Sequence, residues 1–326
     1  MIRVESIQPH NITEWNSVVA ESGLGTIFHC TDWLELSGFS FADSSDHVSR
    51  KMIMLAEDDE TKGLIAGFEL GALGFKVLVS PAPRTFTPYG GLILRDHLEA
   101  SVCLKSLLRE YAIVIMTDPP VLNPRKLSEY YFTKNTIVLP DLTIPVEDLW
   151  ARIRKGTRWS IKKAERSGVS IVEASNESHV ECYYDLLKET HERKNISGLL
   201  PPSYYLDVFR SLGRSNQAKL LLALYGGEPV AGVFLLNDKK RMYYWSGAST
   251  QAGLALGANS MIQWRAILWG KQTGLREYDM IGANVPGVAF FKAGFGGELR
   301  KYCRFVIARR PLVGSFVHKY LQLLGF

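Results

Sequence analysis

The sequence predicts a mixed α/β protein with two domains. The chain has 326 residues, of which 46% are hydrophobic and 22% are charged, as in ordinary folded globular proteins. A single hydrophobic core stops growing at roughly 250 to 300 residues, so a chain of this length is expected to divide. Segments with helical spacing of apolar residues follow short apolar runs along the whole chain, which favours alternating helices and strands.

The individual elements follow from these two periodicities. Apolar residues that return every three to four positions predict helices at 13–21, 31–36, 97–111, 146–167, 177–194, 202–212, 258–273 and 312–324. Apolar runs bounded by turn residues predict strands at 51–56, 64–70, 112–116, 136–139, 170–172, 219–225, 230–236, 241–247, 278–281 and 304–307.

One pattern occurs twice and indicates an internal duplication. An apolar strand, a polar turn and a strand beginning Ala-Gly-aromatic occur around Ala66-Gly67 and again around Ala231-Gly232, 165 positions later. The alternative is that hairpins containing a glycine are common in α/β proteins. A glycine inside a strand predicts a bulge or a close approach by another group, so we expect a cleft beside each one.

A crossing between domains is predicted near residue 145. The segment 141–145, Asp-Leu-Thr-Ile-Pro, has the composition of a linker, and Pro145 suits the start of a helix, where its missing N–H is not needed. The predicted domains are residues 1–145 and 146–326.

Several classes of protein are disfavoured by what the sequence lacks. The four cysteines are far apart, which argues against a zinc cluster and a disulfide framework and favours a reducing cytoplasm. We expect no signal peptide and no membrane span. Phosphate-binding loops, dinucleotide fingerprints, zinc-protease helices and nucleophile elbows are missing, and the histidines form no cluster, so no metal and no other cofactor is expected.

The distribution of charge points to a polyanionic partner for the second half. Residues 1–150 carry 12 basic and 20 acidic residues, a net charge of −8, whereas residues 151–326 carry 26 and 13, a net charge of +13. Such asymmetry favours nucleic acid, a phosphorylated substrate or an anionic lipid surface. The alternative is that basic residues coat solvated helices.

Residues 151–168 hold the densest positive charge, with seven basic residues and one acidic residue. On a helix, Arg158, Lys162 and Arg166 fall at successive i, i+4 steps and form one stripe, with Trp159 and Lys163 beside it. This pattern predicts an anion-binding track. A solvated helix face is the alternative.

A second segment places one lysine among aromatic residues and glycines. After the apolar strand 278–281, the chain continues through Phe290, Phe291, Lys292 and Phe295. We expect the three phenyl rings to shield Lys292 from water, which would lower its pKa or strengthen its field at a developing oxyanion. The alternative is a surface lysine on a short helix.

A third segment combines an arginine with paired tyrosines. Arg193 lies at the predicted end of helix 177–194, and Tyr204 and Tyr205 follow in the next helix. An arginine in this place suits bidentate phosphate recognition. Neutralisation of a helix C-terminus explains the same residue equally well.

The order of motifs resembles the Fem family (FemAB-like) of peptidoglycan bridge aminoacyltransferases. The matching stretches are Ile27–Trp33, Ser80–Arg84 with Thr87–Gly91, Leu149–Arg154 with Arg158–Gly168, and Phe291–Gly297. The resemblance implies two tandem GNAT-like domains, each a mixed, largely antiparallel sheet flanked by helices. It also implies transfer of an amino acid from aminoacyl-tRNA to the amine of a peptidoglycan or other cell-envelope precursor, without a covalent enzyme intermediate.

The resemblance also implies residue roles. Phe291 and Lys292 match the family's Phe-Lys pair, in which the lysine stabilises the tetrahedral intermediate. Substrate-binding roles fall on a larger set, namely Trp33, Arg84, Tyr89, Arg193, Tyr204, Tyr243 and Tyr244. The basic track of Arg158, Lys162, Lys163 and Arg166 is expected to bind the tRNA. The family's lysine after the N-terminal tryptophan is replaced here by Glu35 and Ser37, and the long heptad arm of some members is missing.

The partners implied are aminoacyl-tRNA and a nucleotide- or lipid-linked glycopeptide. The expected location is the cytoplasm, with possible contact at the inner face of the membrane. One alternative function is an acyl-CoA N-acyltransferase, for which residues 251–258 have the right residue types but the wrong spacing. Another is a membrane-surface binding module, because residues 309–326 combine an apolar side with a basic start.

Overall fold

The computed structural model describes residues 2–38, 48–58, 60–72, 74–81, 85–95, 100–121 and 125–323. Its strands are β1 (Arg3–Ser6), β2 (Val48–Glu57), β3 (Glu60–Ala72), β4 (Phe75–Ser80), β5 (Leu92–Leu94), β6 (Ile113–Thr117), β7 (Tyr131–Leu139), β8 (Ser170–Glu173), β9 (Ala218–Tyr225), β10 (Glu228–Asn237), β11 (Arg241–Ser249), β12 (Glu277–Asp279) and β13 (Glu298–Ala308). Its helices are α1 (Ile12–Glu21), α2 (Thr31–Gly38), α3 (Ala100–Glu110), α4 (Val146–Arg152), α5 (Lys155–Arg166), α6 (Glu177–Lys194), α7 (Pro202–Arg214), α8 (Gln251–Leu256), α9 (Ala258–Gln272), α10 (Pro286–Ala293) and α11 (Pro311–Leu323). The predicted mixed α/β class is confirmed.

The chain forms two compact units. Unit 1 comprises residues 1–134 and 300–326, and unit 2 comprises residues 135–299. These bounds differ from the predicted segments 1–145 and 146–326, because β13 returns to unit 1 and pairs antiparallel with β6. The linker-like composition near residue 145 could not predict that a later strand returns to unit 1.

Unit 1 is a sheet with helices packed against it. Its strand order is β1-β2-β3-β4-β6-β13, with β5 added to β3. The strands β1 to β4 are antiparallel, and β4 and β6 form a parallel step. Alternate residues of β2 supply two cores, since Ile53 and Leu55 lie in the cluster with α3, whereas Met52 and Met54 lie with α1.

Unit 2 repeats this order with different strands. It reads β8-β9-β10-β11-β12-β7, again with four antiparallel strands, one parallel step between β11 and β12, and an antiparallel last strand. The two predicted hairpins are β2–β3 and β9–β10, and each occupies the same place in its unit. The shared order supports the inferred duplication.

The glycines of the two hairpins serve close packing. A Cβ atom on Gly67 would lie 2.5 Å from the carbonyl oxygen of Val79, and one on Gly232 would lie 2.5 Å from the ring of Tyr183. Gly67 lines only a small void of about 10 Å³, and the ring of Tyr183 fills the space beside Gly232, so the described residues do not show the expected cleft at either glycine. The bulges fall elsewhere, at Leu55/Ala56, Pro229/Ala231 and Phe234/Leu235.

Several predicted elements need correction. The single helix 146–167 is two helices, because Ile153 and Arg154 are extended and the backbone N–H of Arg154 donates to the carbonyl of Gly294 at 2.9 Å. The predicted strand 278–281 ends at Asp279, since Ile281 has a φ of 47°. The short elements β1, β4, β5 and α8 were not predicted, and a short helix at the position of α10 was only an alternative.

Candidate active site

In unit 2 the pairing of the parallel strands β11 and β12 stops before β11 ends, and we call this place the opening between the two strands. The pairs run only from Arg241↔Glu277 to Tyr243↔Asp279, the last residue of β12, whereas β11 continues to Ser249 along β10. The first side chain of β11 beyond the paired region is Tyr244. Ligands of open α/β sheets bind outside the carboxyl ends of parallel strands, so this opening is a candidate site.

Lys292 reaches this opening from the last turn of α10. Its side chain is 8% exposed, and its ammonium group donates hydrogen bonds to the carbonyl oxygens of Ile281 and Gly282, the latter at 2.9 Å. The ammonium nitrogen lies 5.1 Å from the centre of the Tyr244 ring. Because Ile281 follows the end of β12 and Tyr244 follows the last paired residue of β11, the ammonium group lies where the two strands separate.

The turn after β12 aims its carbonyl groups at Lys292 and is backed by a buried carboxylate. Ile281 and Gly282 have φ values of 47° and 56°, in the left-handed region that a β-branched residue rarely adopts. Asp279 supports the turn, because its Oδ1 accepts from the backbone N–H of Ile281 at 2.8 Å and from the hydroxyl of Thr136 at 2.6 Å. Strained backbone of this kind is typical of functional sites.

The surroundings of Lys292 change its titration. Burial lowers the pKa of the Lys292 ammonium from an ordinary 10.5 to about 8, while the charge of Asp279 opposes this and that of Lys194 adds to it. The group therefore remains mostly a cation at neutral pH. Because little water surrounds this ammonium group, its electric field is screened less than it would be in water.

The aromatic shield differs from the prediction. The Phe291 ring is partly buried and contacts Phe295 edge-on at 5.4 Å, and Phe295 lies in the core. Phe290 is 66% exposed and does not shield the lysine. The guanidinium of Arg154 stacks on the Phe290 ring, 3.7 Å from its centre. On a helix, Phe290 is displaced from Lys292 by about 200°, which places the two on opposite sides.

Tyr244, and not Tyr243, lies beside Lys292. Gly247 gives its ring room, since a Cβ atom there would lie 2.1 Å from the Tyr244 hydroxyl oxygen. Burial raises the pKa of Tyr244 to about 12, so its phenol stays protonated. Tyr243 is fully buried and donates to Asp238 Oδ2 at 2.6 Å.

The remaining candidates of unit 2 lie along α6 and α7. Tyr204 is buried in an aromatic cluster with Tyr205 and Trp245, at ring distances of 5.6 to 6.1 Å. Arg193 forms an ion pair with Glu189 at 3.3 Å. The same oxygen of Glu189 accepts from the backbone N–H of Gln251, at the start of α8.

The candidates of unit 1 pack within that unit. Trp33 is buried and donates from its indole N–H to the Thr87 hydroxyl at 3.0 Å, and its ring meets Phe28 edge-on. Tyr89 is buried against Phe28 and Tyr302. Arg84 lies outside the described residues.

The predicted basic track lies on one helix, α5. Lys162 and Arg166 are exposed, and Arg158 and Lys163 are half-buried. Three of the four donate to carbonyl oxygens: Arg158 to Trp150 at 3.4 Å, Lys163 to Ala255 at 2.7 Å and Arg166 to Lys162 at 3.2 Å. Among the described residues, none of these four cations forms an ion pair with a carboxylate. The helix therefore presents uncompensated positive charge.

Two groups near the site were missed by sequence reasoning. Asp279 supports the Lys292 turn, and its signal was a carboxylate inside the predicted apolar strand 278–281. Arg154 stacks on the exposed Phe290 ring and donates to its carbonyl oxygen at 3.3 Å. The arginine and the phenylalanine are 136 positions apart, so no local pattern joins them.

Comparisons with known proteins bear on the fold. Residues 151–293 match the family model described as an acetyltransferase (GNAT) domain. No curated protein matches the sequence. Within the described ranges, no helix combines the length and the apolar character needed to cross a bilayer.

Solved structures resemble the whole chain. The crystal structure of FemX gives a TM-score of 0.71 at 13% identity and covers 97% of this chain and 100% of FemX. The C-terminal domain of a putative lysylphosphatidylglycerol synthetase from Agrobacterium fabrum gives 0.57 at 11% identity, covering 97% and 96% of the two chains. A tandem GNAT protein from the clavulanic acid biosynthesis pathway gives 0.50 at 8% identity, covering 94% and 98%.

At these identities the likeness establishes the fold. The repeated strand order, the opening between β11 and β12 and the match of residues 151–293 all agree with it. The chain is therefore a protein of the Fem-like GNAT fold, built as two tandem GNAT-like domains, with a GNAT acyltransferase domain in its second half.

Proposed function

We propose that the protein is an N-aminoacyltransferase that moves an amino acid from aminoacyl-tRNA to an amine of a peptidoglycan or other cell-envelope precursor. The observation that carries the proposal is the buried ammonium group of Lys292 at the diverging strands. The Fem-like fold, the lysine and the basic helix α5 support it together. A cytoplasmic location, where charged tRNA is available, belongs to the same proposal.

The bonding of Lys292 suits stabilisation of an oxyanion. An ammonium group has three N–H donors, and two of them are held by the carbonyl oxygens of Ile281 and Gly282. These bonds fix the direction of the third. A fixed donor in a site with little water stabilises a developing negative charge strongly, because it needs no reorganisation during the reaction.

The reaction follows from this placement. The free amine of the acceptor attacks the ester carbonyl carbon of the aminoacyl-tRNA, and a carbon–nitrogen bond forms while the carbonyl electron pair moves to oxygen. The Lys292 ammonium donates its third hydrogen bond to that oxyanion. The bond to the ribose oxygen then breaks, the proton lost by nitrogen passes to that oxygen, and an amide and free tRNA result.

The face of α5 fits the donor. Lys162 and Arg166 offer uncompensated charge to phosphates, and Trp159 is an exposed ring on the same helix, with the Lys163 ammonium 5.5 Å from its centre. The exposed Phe290, stacked by Arg154, is a second such ring. Proteins that bind single-stranded RNA combine cations with aromatic rings on which bases stack, as the unpaired 3′ end of tRNA requires.

The other residues named by the resemblance take supporting roles in the proposal. Phe291 packs behind the lysine, and Tyr244 lines the opening beside it. Arg193 would meet an anion only by exchanging its bond to Glu189. Substrate contacts of Trp33, Arg84, Tyr89, Tyr204 and Tyr243 belong to the proposal, and all four of the described ones are buried.

An acetyl-CoA-dependent transferase is the competing function, favoured by the description of the matching family model. The pyrophosphate of CoA would need free backbone N–H groups at a helix start. At α8 the N–H of Gln251 already donates to Glu189, and that of Gly253 donates to the Thr250 hydroxyl at 2.9 Å. A Cβ atom on Gly257, before α9, would lie 2.5 Å from the carbonyl oxygen of Ser160, so that helix start is covered by α5.

Binding experiments distinguish the two donors. The probes are a tRNA acceptor-stem hairpin whose 3′ amino acid is joined by a hydrolysis-resistant amide, and acetyl-CoA. We expect the hairpin to bind with an affinity that falls steeply with salt, because phosphate contacts release counterions. Calorimetry with acetyl-CoA is expected to show no micromolar binding.

Charge reversal locates the RNA surface. The variant Lys162→Glu/Arg166→Glu is expected to lose at least tenfold in hairpin affinity and to show a shallower salt dependence. The matched control, Lys126→Glu, changes an exposed lysine of unit 1 and is expected to bind like the wild type. Salt-independent hairpin binding, or micromolar affinity for acetyl-CoA, would contradict the proposal.

A further inference from the structure

The C-terminal helix α11 exposes its large apolar side chains. Leu312 and Leu323 are each 86% exposed and Phe316 is 72% exposed, and Tyr320 is exposed between them. These positions follow the spacing i, i+4, i+8 and i+11, so they lie on one side of the helix. We call these four residues the α11 stripe.

The opposite side of the helix attaches it to unit 1. Gly314 is buried, and a Cβ atom there would lie 3.0 Å from the ring of Tyr130. His318 packs on Phe132 with ring centres 4.4 Å apart, and Val317 and Leu321 on the same side are half-buried. A helix that served only to complete its own domain would turn its largest apolar side chains inward, whereas this one leaves the four residues of the α11 stripe exposed.

Exposed cations surround the start of this helix. The guanidinium of Arg309 donates to the carbonyl oxygens of Leu108 and Arg109 at 2.6 and 2.7 Å, which holds it beside the end of α3. Arg309, Lys105 and Arg109 line one shallow depression. Arg310 directly precedes the helix, and Lys319 lies within the stripe. In the part of the chain that the structure describes, none of these five cations is paired with a carboxylate.

We infer that α11 docks the protein on an anionic membrane surface. The α11 stripe enters the boundary between headgroups and acyl chains, and the five cations meet the acidic headgroups. An apolar stripe that carries leucine and aromatic residues, beside unpaired arginine and lysine residues, is typical of helices that lie in the membrane interface. Lys319 suits this position because its aliphatic stem can follow the stripe while its ammonium group reaches the headgroups.

The charges favour a membrane over a second copy of the chain. A symmetric contact through the stripe would bring the cations of two copies into one interface to which α11 contributes no carboxylate, so their like charges would remain uncompensated. An anionic lipid surface attracts every one of them, by roughly 1 kcal/mol for each residue near the surface. This inference does not depend on which acyl donor the protein uses.

Vesicle flotation of the full chain tests the inference. The vesicles contain phosphatidylcholine alone or phosphatidylcholine with about 30% phosphatidylglycerol, in which anionic lipid supplies the surface potential. We expect the wild type to float with the anionic vesicles and not with the neutral ones. The variant Leu312→Ser/Phe316→Ser/Leu323→Ser is expected to lose at least tenfold in binding, and Arg310→Glu/Lys319→Glu likewise.

Controls separate loss of docking from loss of fold. Phe75→Ser/Tyr225→Ser removes two exposed aromatic residues elsewhere and is expected to float like the wild type. Thermal unfolding of the stripe variant should match the wild type, since its changed side chains face solvent. Equal flotation of wild type and both α11 variants, equal binding to neutral vesicles, or a dimer in sedimentation that the stripe variant abolishes would each overturn the inference.

Discussion

Replacing Lys292 with methionine removes the one charge that the proposed mechanism uses. Loss of a single oxyanion donor typically lowers the rate by about 10² to 10³, equivalent to roughly 2.7 to 4 kcal/mol of transition-state stabilisation. Since the ammonium group has two of its donors fixed by Ile281 and Gly282, we expect the loss to fall in this range. Donor affinity should change little, because the charge acts on the oxyanion and not on the ground-state ester.

We expect the Lys292→Met variant to fold, because the substitution has two opposite effects on the free energy of unfolding. A drop in pKa from 10.5 to about 8 means that burying the ammonium costs about 3 kcal/mol, which the apolar methionine does not incur. Against this, the carbonyls of Ile281 and Gly282 lose their donor, at about 1 to 3 kcal/mol each where water does not replace it. The two effects largely cancel, so we expect unfolding free energies within about 2 kcal/mol of each other at neutral pH.

The pH dependence of stability isolates the lysine. Below about pH 8 the folded and unfolded chains both hold the proton, and the full cost of burial is present. Between about 8 and 10.5 the unfolded chain binds more protons, so the wild type gains stability as the pH rises, and above 10.5 the cost is gone. The unfolding free energy of the wild type relative to Lys292→Met should therefore rise by about 3 kcal/mol across this window.

The assay is single-turnover transfer from labelled aminoacyl-tRNA to a cell-envelope precursor fraction, together with urea unfolding. Lys271→Met is the matched control, because Lys271 also donates to two backbone carbonyls, those of Thr143 and Ile144, but outside the candidate site. It should retain its transfer rate. A folded Lys292→Met variant that keeps more than a tenth of the wild-type rate would refute the reasoning.

Three further predictions follow from the same contacts. The wild-type transfer rate, corrected for spontaneous ester hydrolysis, should fall as the pH rises through about 8, because Lys292 loses its proton there. Asp279→Asn should move this fall to lower pH, since the charge of Asp279 raises the pKa of Lys292. An unmoved profile would contradict the assignment. Gly232→Ala should lower the unfolding free energy by about 1 to 3 kcal/mol in urea titrations, because its methyl group would meet the Tyr183 ring. The control Gly213→Ala in α7 places its methyl group in open space and should be neutral or stabilising. Phe290→Ser should weaken hairpin binding severalfold and leave stability unchanged, since its ring is exposed; unchanged affinity would exclude a stacking role.

The sequence predicted the parts of the fold that depend on local periodicity. Both hairpins, the long helices α6, α7 and α9 and the basic helix α5 lie where apolar spacing placed them. The Lys292 segment was also identified, because a lysine among phenylalanines and glycines is unusual for a packing segment. Motif order added the tandem GNAT fold, which the comparisons confirm.

What the sequence did not predict depends on contacts between distant residues. The break at Arg154 arises from a hydrogen bond to Gly294, and the position of Phe290 from the turn of α10 and the stacked Arg154. The return of β13 to unit 1 is a choice of strand partner that no local pattern records. The ammonium contacts of Lys292 depend on the left-handed turn at Ile281. Isoleucine rarely adopts this conformation, so the sequence offered no reason to expect a turn there.

The two units share a strand order, but the residues that follow their parallel steps differ, and the proposed chemistry uses unit 2. In unit 1 the pairing of β4 with β6 continues to Ser80↔Met116, at the last residue of β4. The chain then returns across this end, where the N–H of Gly90 donates to the carbonyl of Thr117 at 2.9 Å and that of Gly91 donates to the Ser80 hydroxyl at 2.8 Å.

In unit 1 backbone groups thus occupy the end of the parallel step. A Cβ atom on Gly90 or Gly91 would lie 2.5 Å from a neighbouring oxygen, so no side chain fits there. In unit 2 the corresponding strands separate after Tyr243, and the groups that meet at the gap are the Lys292 ammonium and the Tyr244 ring. The proposed acyl transfer therefore uses the copy in which β11 extends beyond its parallel partner, and this copy lies within the residues 151–293 that match the GNAT domain model.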